Sequence, residues 1–323
     1  MARLAVLGAG AWGTAIACAL APRNEISLWA RDADQARSIA ATRRNQRYLP
    51  AATLPASVRI SAELPRDAEL FLAATPVAGL REIFQRIGKA APVVWLCKGF
   101  EEGTGALPHQ IAEELLGASA RFGALSGPSF ADEVARGLPC ALTLAARDAA
   151  FARESASRLH GGRVRVYYSA DLVGVEIGGA VKNVMAIAAG ISDGLGLGQN
   201  ARAALITRGL AEITRLGMAL GGAAETFMGL AGAGDLILTA TGDLSRNRRV
   251  GLELAAGKPL EAILRDLGHV AEGVRSAKAV LALSKKEKVD MPITTAVNAV
   301  LEGRLKPAAA VEQLLLRDPK AEA

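Results

Sequence analysis

The chain has 323 residues, 51% of them hydrophobic, and its 38 Lys and Arg exceed its 32 Asp and Glu by a net charge of +6. That length and apolar content exclude a disordered chain and allow two domains, each with its own core. The positive charge is dispersed, without a zinc-finger spacing, an RNP motif or an aromatic stacking platform, which excludes nucleic acid as the expected partner and points to anionic small molecules.

The first element is an apolar strand over residues 3–7, followed by Gly8, Gly10 and Gly13 and a helical run over 14–20. In this G-x-G-x-x-G order the first glycine makes a tight turn, the second admits backbone amides to a pyrophosphate, and the third lets helix and strand pack closely. The helix N-terminus adds partial positive charge. Arg3, the apolar run to Leu20 and the small residues near Ala21 also have the outline of a signal peptide, but three glycines in six residues disfavour its helical centre. A dinucleotide is therefore the expected ligand.

Further strands are predicted over 26–30, 58–61, 70–74, 93–97, 122–125, 141–145 and 164–168, with helical patterns such as 33–44 and 77–89 between them. This alternation predicts a mostly parallel, doubly wound sheet. At the end of the second strand an acid reads the ribose 2′-hydroxyl of NAD, whereas an arginine accommodates the 2′-phosphate of NADP. Arg31 stands there with Asp32 beside it and Arg43, Arg44 and Arg47 following, so NADP is favoured and NAD stays open. Two later strands deliver Lys98-Gly99-Phe100 and Ser126-Gly127-Pro128-Ser129-Phe130-Ala131 toward the predicted cofactor crevice. Lys98 would attract an anion there, and Gly127 and Ser129 would offer an amide and a hydroxyl; an ordinary turn is the competing reading.

After Ser169 the alternation stops, and helical periodicity over 175–191, 200–220, 260–264, 274–285 and 293–301 predicts an α-helical domain from about residue 170, closing over the crevice. Lys182 lies among Val, Met and Ile in an apolar helix, where it must snorkel or serve a site; burial disfavours its charged form and suits it to proton transfer. Gly178 and Gly179 would let a backbone or ligand approach that helix. A second glycine-rich turn, 229–235, follows no strand and so is not a dinucleotide site; Asp235 reads as a carboxylate held by a tight loop and able to orient a lysine or accept a hydroxyl hydrogen bond. Ser245, Arg246 and Asn247 together could grip a phosphate, against the alternative of a solvated basic loop. Cys18, Cys97 and Cys140 read as small buried hydrophobes without metal-ligand spacing, and His109, His160 and His269 fall in presumed surface segments, so the expected proton donor is not histidine. Every long apolar run is interrupted by Lys182 or an arginine short of the roughly 20 residues that span a bilayer, so no membrane segment is expected. The cytoplasm is the expected location, and an apolar helical domain is compatible with a homodimer.

Together these segments resemble the bacterial NAD(P)-dependent glycerol-3-phosphate dehydrogenases. The resemblance is carried by 8–15, Lys98-Gly99, 126–131, 175–190, 194–209, 234–239, 245–249 and 272–274, in order along nearly the whole chain. It implies a Rossmann-type domain over 1–169 and an all-α, 6-phosphogluconate-dehydrogenase-like domain over 170–323 that binds substrate and carries the catalysis. It further implies reduction of dihydroxyacetone phosphate to sn-glycerol 3-phosphate for phospholipid synthesis, with NADPH or NADH as cofactor and Lys182 as general acid/base. Substrate contacts would fall on Lys98, Gly127, Ser129, Lys182, Asp235, Ser245, Arg246 and Asn247. Cofactor contacts would fall on Gly8, Gly10, Trp12, Gly13, Arg31, Tyr48, Lys98, Ala131, Arg246, Val270 and Glu272, with no metal. Ala233 and Ala240 depart from residues commoner in the family and remove no proposed contact. A reductase of carboxylated hydroxy acids shares the two-domain plan but gives no reason for the Ser245–Asn247 segment; a sensor without turnover gives none for Lys182.

Overall fold

The computed structural model describes residues 1–89, 91–267 and 271–318, which divide into two compact units, Met1–Glu176 and Ile177–Ala323. The first unit contains strands β1 Arg3–Leu7, β2 Glu25–Trp29, β3 Arg44–Asn45, β4 Leu49–Thr53, β5 Arg59–Ser61, β6 Leu70–Ala73, β7 Val93–Trp95, β8 Phe122–Ser126, β9 Cys140–Ala145 and β10 Val164–Ser169. Its helices are α1 Ala11–Leu20, α2 Ala33–Thr42, α3 Leu80–Ile87, α4 Pro108–Leu116, α5 Ala131–Ala135 and α6 Ala149–Leu159.

Eight of the strands form one sheet in the order β10-β9-β8-β7-β6-β1-β2-β5. All neighbours are parallel except β8 and β9. The central strands β6, β7 and β8 are buried at every residue, as strands covered on both faces must be, and β6, β7 and β8 as far as Leu125 read as unbroken apolar runs for that reason. Edge strand β10 instead alternates over its first residues. The order reverses at β1, with β2 on one side and β6 on the other, so the crevice beyond the carboxyl ends of β1 and β6 is the topological switch point where such sheets bind ligands. Trp95, fully buried, packs between Phe84 and Phe122 at ring-centroid distances of 6.1 and 5.8 Å. Residues 3–20, which share the outline of a signal peptide, are built into the sheet centre and its first helix.

The short β3–β4 pair is absent from the sequence reading; Pro50 and two alanines hide a hairpin whose only buried β4 residues, Leu49 and Ala52, pack on Ala15 and Val134. The predicted helix over 33–44 ends at Thr42 because Arg43 takes a left-handed conformation, φ 56°, from which its guanidinium reaches the carbonyls of Pro55 and Val58. Arg43 is thus a structural tie.

Helix α7, Leu172–Gly194, crosses the boundary between the units, and the second unit continues with α8 Gly198–Ala219, α9 Ala224–Met228, a π-turn over Leu230–Gly234, α10 Asp235–Thr241 and α11 Arg246–Ala255. The remaining helices are α12 Leu260–Leu267, α13 Glu272–Lys286, α14 Pro292–Leu301 and α15 Pro307–Leu315. Contrary to the expectation that every apolar run is too short, α7 is long and apolar enough to cross a membrane; it is buried along nearly its whole length, as a core helix is. Close contacts explain its glycines: a Cβ at Gly190 would lie 2.0 Å from the Arg248 carbonyl oxygen, and one at Gly251 would lie 2.1 Å from that of Ile187. Helices α7 and α11 therefore touch backbone to backbone. The chain folds as a Rossmann-like sheet domain followed by a helical domain.

Candidate active site

In the first unit the site begins at the switch point. Gly8 has φ 122°, and a Cβ on it would lie 2.8 Å from the Ala74 carbonyl oxygen beyond β6; a Cβ on Gly13 would lie 1.9 Å from the Gly8 carbonyl oxygen. Both positions demand glycine because backbone is already there. Around Gly10 the opposite holds, since a Cβ would meet nothing within 4 Å, and Gly10 caps α1 without a side-chain hydrogen bond. An open glycine beside side-chain-uncapped helical amides fits a pyrophosphate. The cradle fits a dinucleotide.

At the end of β2 the two candidate ribose readers separate. Asp32 is the N-cap of α2, its Oδ1 accepting from the amides of Asp34 at 2.8 Å and Gln35 at 3.2 Å. Arg31 keeps a side chain 75% exposed, paired with Glu82 at 3.4 Å. Trp12 packs against the core below the glycine turn, the Arg47 guanidinium lies 5.1 Å from the Tyr48 ring centroid, and Ala131 opens α5. Farther along the sheet, Gly127, φ 135°, presents its carbonyl to both Lys98 Nζ, at 3.2 Å, and Ser129 Oγ, at 3.0 Å. Three of the predicted substrate residues thus converge on one peptide.

His109 corrects the surface assignment. It is buried on α4, its amide donating to Glu176 Oε1 at 3.0 Å and its Nδ1 meeting Glu176 Oε2. Burial pushes the Glu176 carboxyl above its ordinary range, and the imidazole opposes that rise. Glu176, Lys98, Gly99 and Ser126 line one small cavity. Sequence reading passes over this pair because nothing in the spacing of residues 109 and 176 announces a contact.

The second unit holds its own cluster of predicted site residues, around α7. Lys182 and Asp235 are both buried, with Nζ 2.5 Å from Oδ1, and Nζ also donates to Thr239 Oγ1 at 2.7 Å. Thr239 in turn donates its hydroxyl to the Asp235 carbonyl at 2.7 Å. One turn before Lys182, and on the same helix face, Gly178 lets the π-turn approach until a Cβ would lie 2.7 Å from the Ala231 oxygen. That approach sets Asp235 against the lysine. The expected tight loop is a π-turn feeding directly into α10, and Asp235 is its first helical residue. Thr239 lies four residues on, and sequence reading misses it because the glycines before Asp235 disguise the start of a helix. A buried ammonium would be unfavourable alone, but Asp235 supplies the counter-charge and Thr239 a second acceptor.

Ser245 caps α11 by accepting from the Arg248 amide at 3.2 Å, so the Ser-Arg-Asn segment is a helix start and not a loop. Arg248 is held by Asp193 at 2.8 Å and Asp243 at 3.0 Å, and Arg249 by Glu253 at 2.8 Å. Among the described residues Arg246, exposed at the first position of the helix, makes no ion pair. Buried Asn247 donates to Asn183 Oδ1 at 3.0 Å and accepts from the Gly273 amide at 3.0 Å. The neighbours of Lys182 and Arg246 are therefore tied to each other directly. Glu272 opens α13, whereas Val270, a predicted cofactor contact, and His269 lie outside the described residues.

A family model described as the NAD-dependent glycerol-3-phosphate dehydrogenase N-terminus matches residues 3–152, and the corresponding C-terminus model matches 171–312. The chain is 59% identical over 326 residues to the glycerol-3-phosphate dehydrogenase [NAD(P)+] of Dechloromonas aromatica, with 99% of each chain covered. It is 60% identical over 328 residues to the protein of that name from Methylibium petroleiphilum, covering 99% of this chain and 98% of that one. Among solved structures, glycerol-3-phosphate dehydrogenase from Coxiella burnetii superposes with a TM-score of 0.92 at 41% identity, covering 98% and 99% of the two chains.

Proposed function

The chain belongs to the NAD-dependent glycerol-3-phosphate dehydrogenase family, and from that premise we propose that Lys182 is the acid/base of its reaction and the N-terminus of α11 its phosphate grip. The protein is an NAD(P)-dependent glycerol-3-phosphate dehydrogenase, interconverting dihydroxyacetone phosphate plus NAD(P)H and a proton with sn-glycerol 3-phosphate plus NAD(P)+. The observation that carries the proposal is the buried Lys182–Asp235–Thr239 constellation on α7 and α10.

The chemistry that the reduced nicotinamide supplies when bound is a hydride for the carbonyl carbon. Negative charge then develops on the carbonyl oxygen, and Lys182 Nζ stabilises it and delivers the proton. Asp235 and Thr239 fix the direction of the ammonium, so orientation costs nothing at the moment of reaction. The phosphate ester provides binding remote from the reacting carbon: Arg246 contributes the guanidinium fork, Ser245 the hydroxyl, and Asn247 holds the start of α11 beside Asn183. In the first unit Lys98, Gly127 and Ser129 contact substrate, and Lys98 also faces the cofactor. Gly8, Gly10, Trp12 and Gly13 bind the dinucleotide, with Tyr48, Ala131, Arg246, Val270 and Glu272 as further contacts. Arg31 tilts the preference to NADPH, because the Asp32 carboxylate that would read a ribose hydroxyl is engaged in capping α2. Residues 1–169 form the dinucleotide-binding domain, which also lends Lys98, Gly127 and Ser129 to the substrate, and 170–323 form the substrate-binding and catalytic domain, in a cytoplasmic homodimer feeding phospholipid synthesis.

The test follows NADPH and NADH oxidation with dihydroxyacetone phosphate, unphosphorylated dihydroxyacetone and a 2-keto acid. Turnover of the phosphate ester, with a large drop for the unphosphorylated ketone, is expected. Absence of turnover with the ester refutes the reading, and preference for the keto acid replaces it.

A further inference from the structure

The carbonyl of Ala9, between the first two glycines of the turn, is gripped from two directions. Asn45 Nδ2, on β3, donates to it at 2.9 Å and Gln35 Nε2, on α2, donates at 2.8 Å. Asn45 is 1% exposed, and its amide orientation is over-determined: Nδ2 also donates to Thr14 Oγ1 at 2.8 Å, and Oδ1 accepts from the Tyr48 amide at 3.3 Å. Turned about, the amide would set its oxygen against the Ala9 carbonyl and its NH₂ against an N–H.

The grip also orients the next peptide group. The chain has no cis peptides among its described residues, so the Ala9 C=O and the Gly10 N–H point to opposite sides of one peptide unit. With the carbonyl drawn toward Asn45 and Gln35, the Gly10 N–H is aimed away from them. Gly10 is also where the space is open and where α1 begins without a side-chain cap. Rotation of this peptide would replace an N–H donor with a carbonyl oxygen facing the anion, exchanging attraction for repulsion.

We propose that Asn45 and Gln35 are positioning residues for the dinucleotide pyrophosphate, holding the Ala9 carbonyl back so that the Gly10 N–H faces the phosphate oxygens. The proposal rests on the dinucleotide reading of the glycine turn. It also explains why the fold includes β3, a two-residue strand outside the main sheet, since that strand carries Asn45 to the turn.

The test is direct titration of the unliganded protein with NADPH, with ADP-ribose, which keeps the pyrophosphate, and with adenosine 2′-phosphate, which lacks it. Gln35→Ala, which leaves the buried Asn45 bonds in place, is expected to weaken NADPH and ADP-ribose about five-fold each, the worth of one hydrogen bond. Asn45→Ala with Gln35→Ala is expected to weaken them about twenty-fold, with little change for adenosine 2′-phosphate. Unaltered affinity of Gln35→Ala for both pyrophosphate ligands overturns the proposal, as does an equal loss for all three ligands, which marks a merely structural role. Failure of the unmutated protein to bind NADPH, NADH and ADP-ribose alike would instead overturn the dinucleotide reading itself.

Discussion

Arg246→Ala separates recognition from folding, because the three arginines of 245–249 have different partners. Arg248 is tied to Asp193 and Asp243 and Arg249 to Glu253, whereas among the described residues Arg246 makes no ion pair. Its removal therefore breaks no salt bridge among those residues, and an exposed side chain of this kind contributes within about 0.5 kcal/mol to stability. If the guanidinium binds the ester phosphate, the loss is that of hydrogen bonds to a charged group, about 1.5–3 kcal/mol, or roughly 10- to 150-fold in kcat/KM. The assay compares kcat/KM for dihydroxyacetone phosphate and for dihydroxyacetone, at NADPH concentrations that saturate the variant and so remove any loss of cofactor contact, beside thermal melts of Arg246→Ala and Arg248→Ala. The expected pattern is a loss confined to the phosphorylated substrate with an unchanged melt for Arg246→Ala, and a lowered melt for Arg248→Ala. An equal loss on both substrates, or a lowered melt for Arg246→Ala, would refute the assignment.

Two other changes test the fold around the site. Buried Glu212 receives the amides of Ile293 and Thr294 and the Thr294 hydroxyl at the start of α14, and burial raises its pKa from 4.5 to about 7. A carboxyl whose folded pKa is raised favours folding fully below the unfolded value and loses that contribution as pH climbs through the folded one. Stability is thus expected to fall by up to about 3 kcal/mol between pH 4.5 and 7 from this group, and Glu212→Gln should flatten that slope in urea midpoints whatever its constant offset. An unchanged slope would contradict it. Gly190→Ala drives a Cβ to 2.0 Å from the Arg248 oxygen, and separating α7 from α11 should cost about 1–3 kcal/mol in denaturant unfolding. A neutral result would mean that the helices do not pack this closely.

A residue is legible in the sequence when its role is local. Strands β6 and β7, and β8 up to Leu125, are legible because burial on both faces leaves apolar residues there, and Gly8 and Gly13 because the turn's own backbone forbids a side chain. Lys182 stands out as a charge in an apolar helix. The His109–Glu176 pair is hidden, since it joins residues 67 apart in sequence. Asn45 is hidden among arginines whose charge points to a 2′-phosphate, while its own role is a neutral hydrogen bond 36 residues back. Thr239 and Ser245 carry readable signals, four-residue helical spacing after Asp235 and an N-cap before Arg246, which the glycines and arginines around them obscure.

The role of Lys182 is tested most directly by Lys182→Ala assayed at saturating NADPH and dihydroxyacetone phosphate. Because its loss leaves the buried Asp235 without its cation, Lys182→Met with Asp235→Asn serves as a second, charge-balanced form. A fall in kcat of roughly 10²–10⁴-fold is expected in both forms, with NADPH still bound by the folded protein. Turnover within a few-fold of the unmutated protein, in either form, would contradict Lys182 as the acid/base.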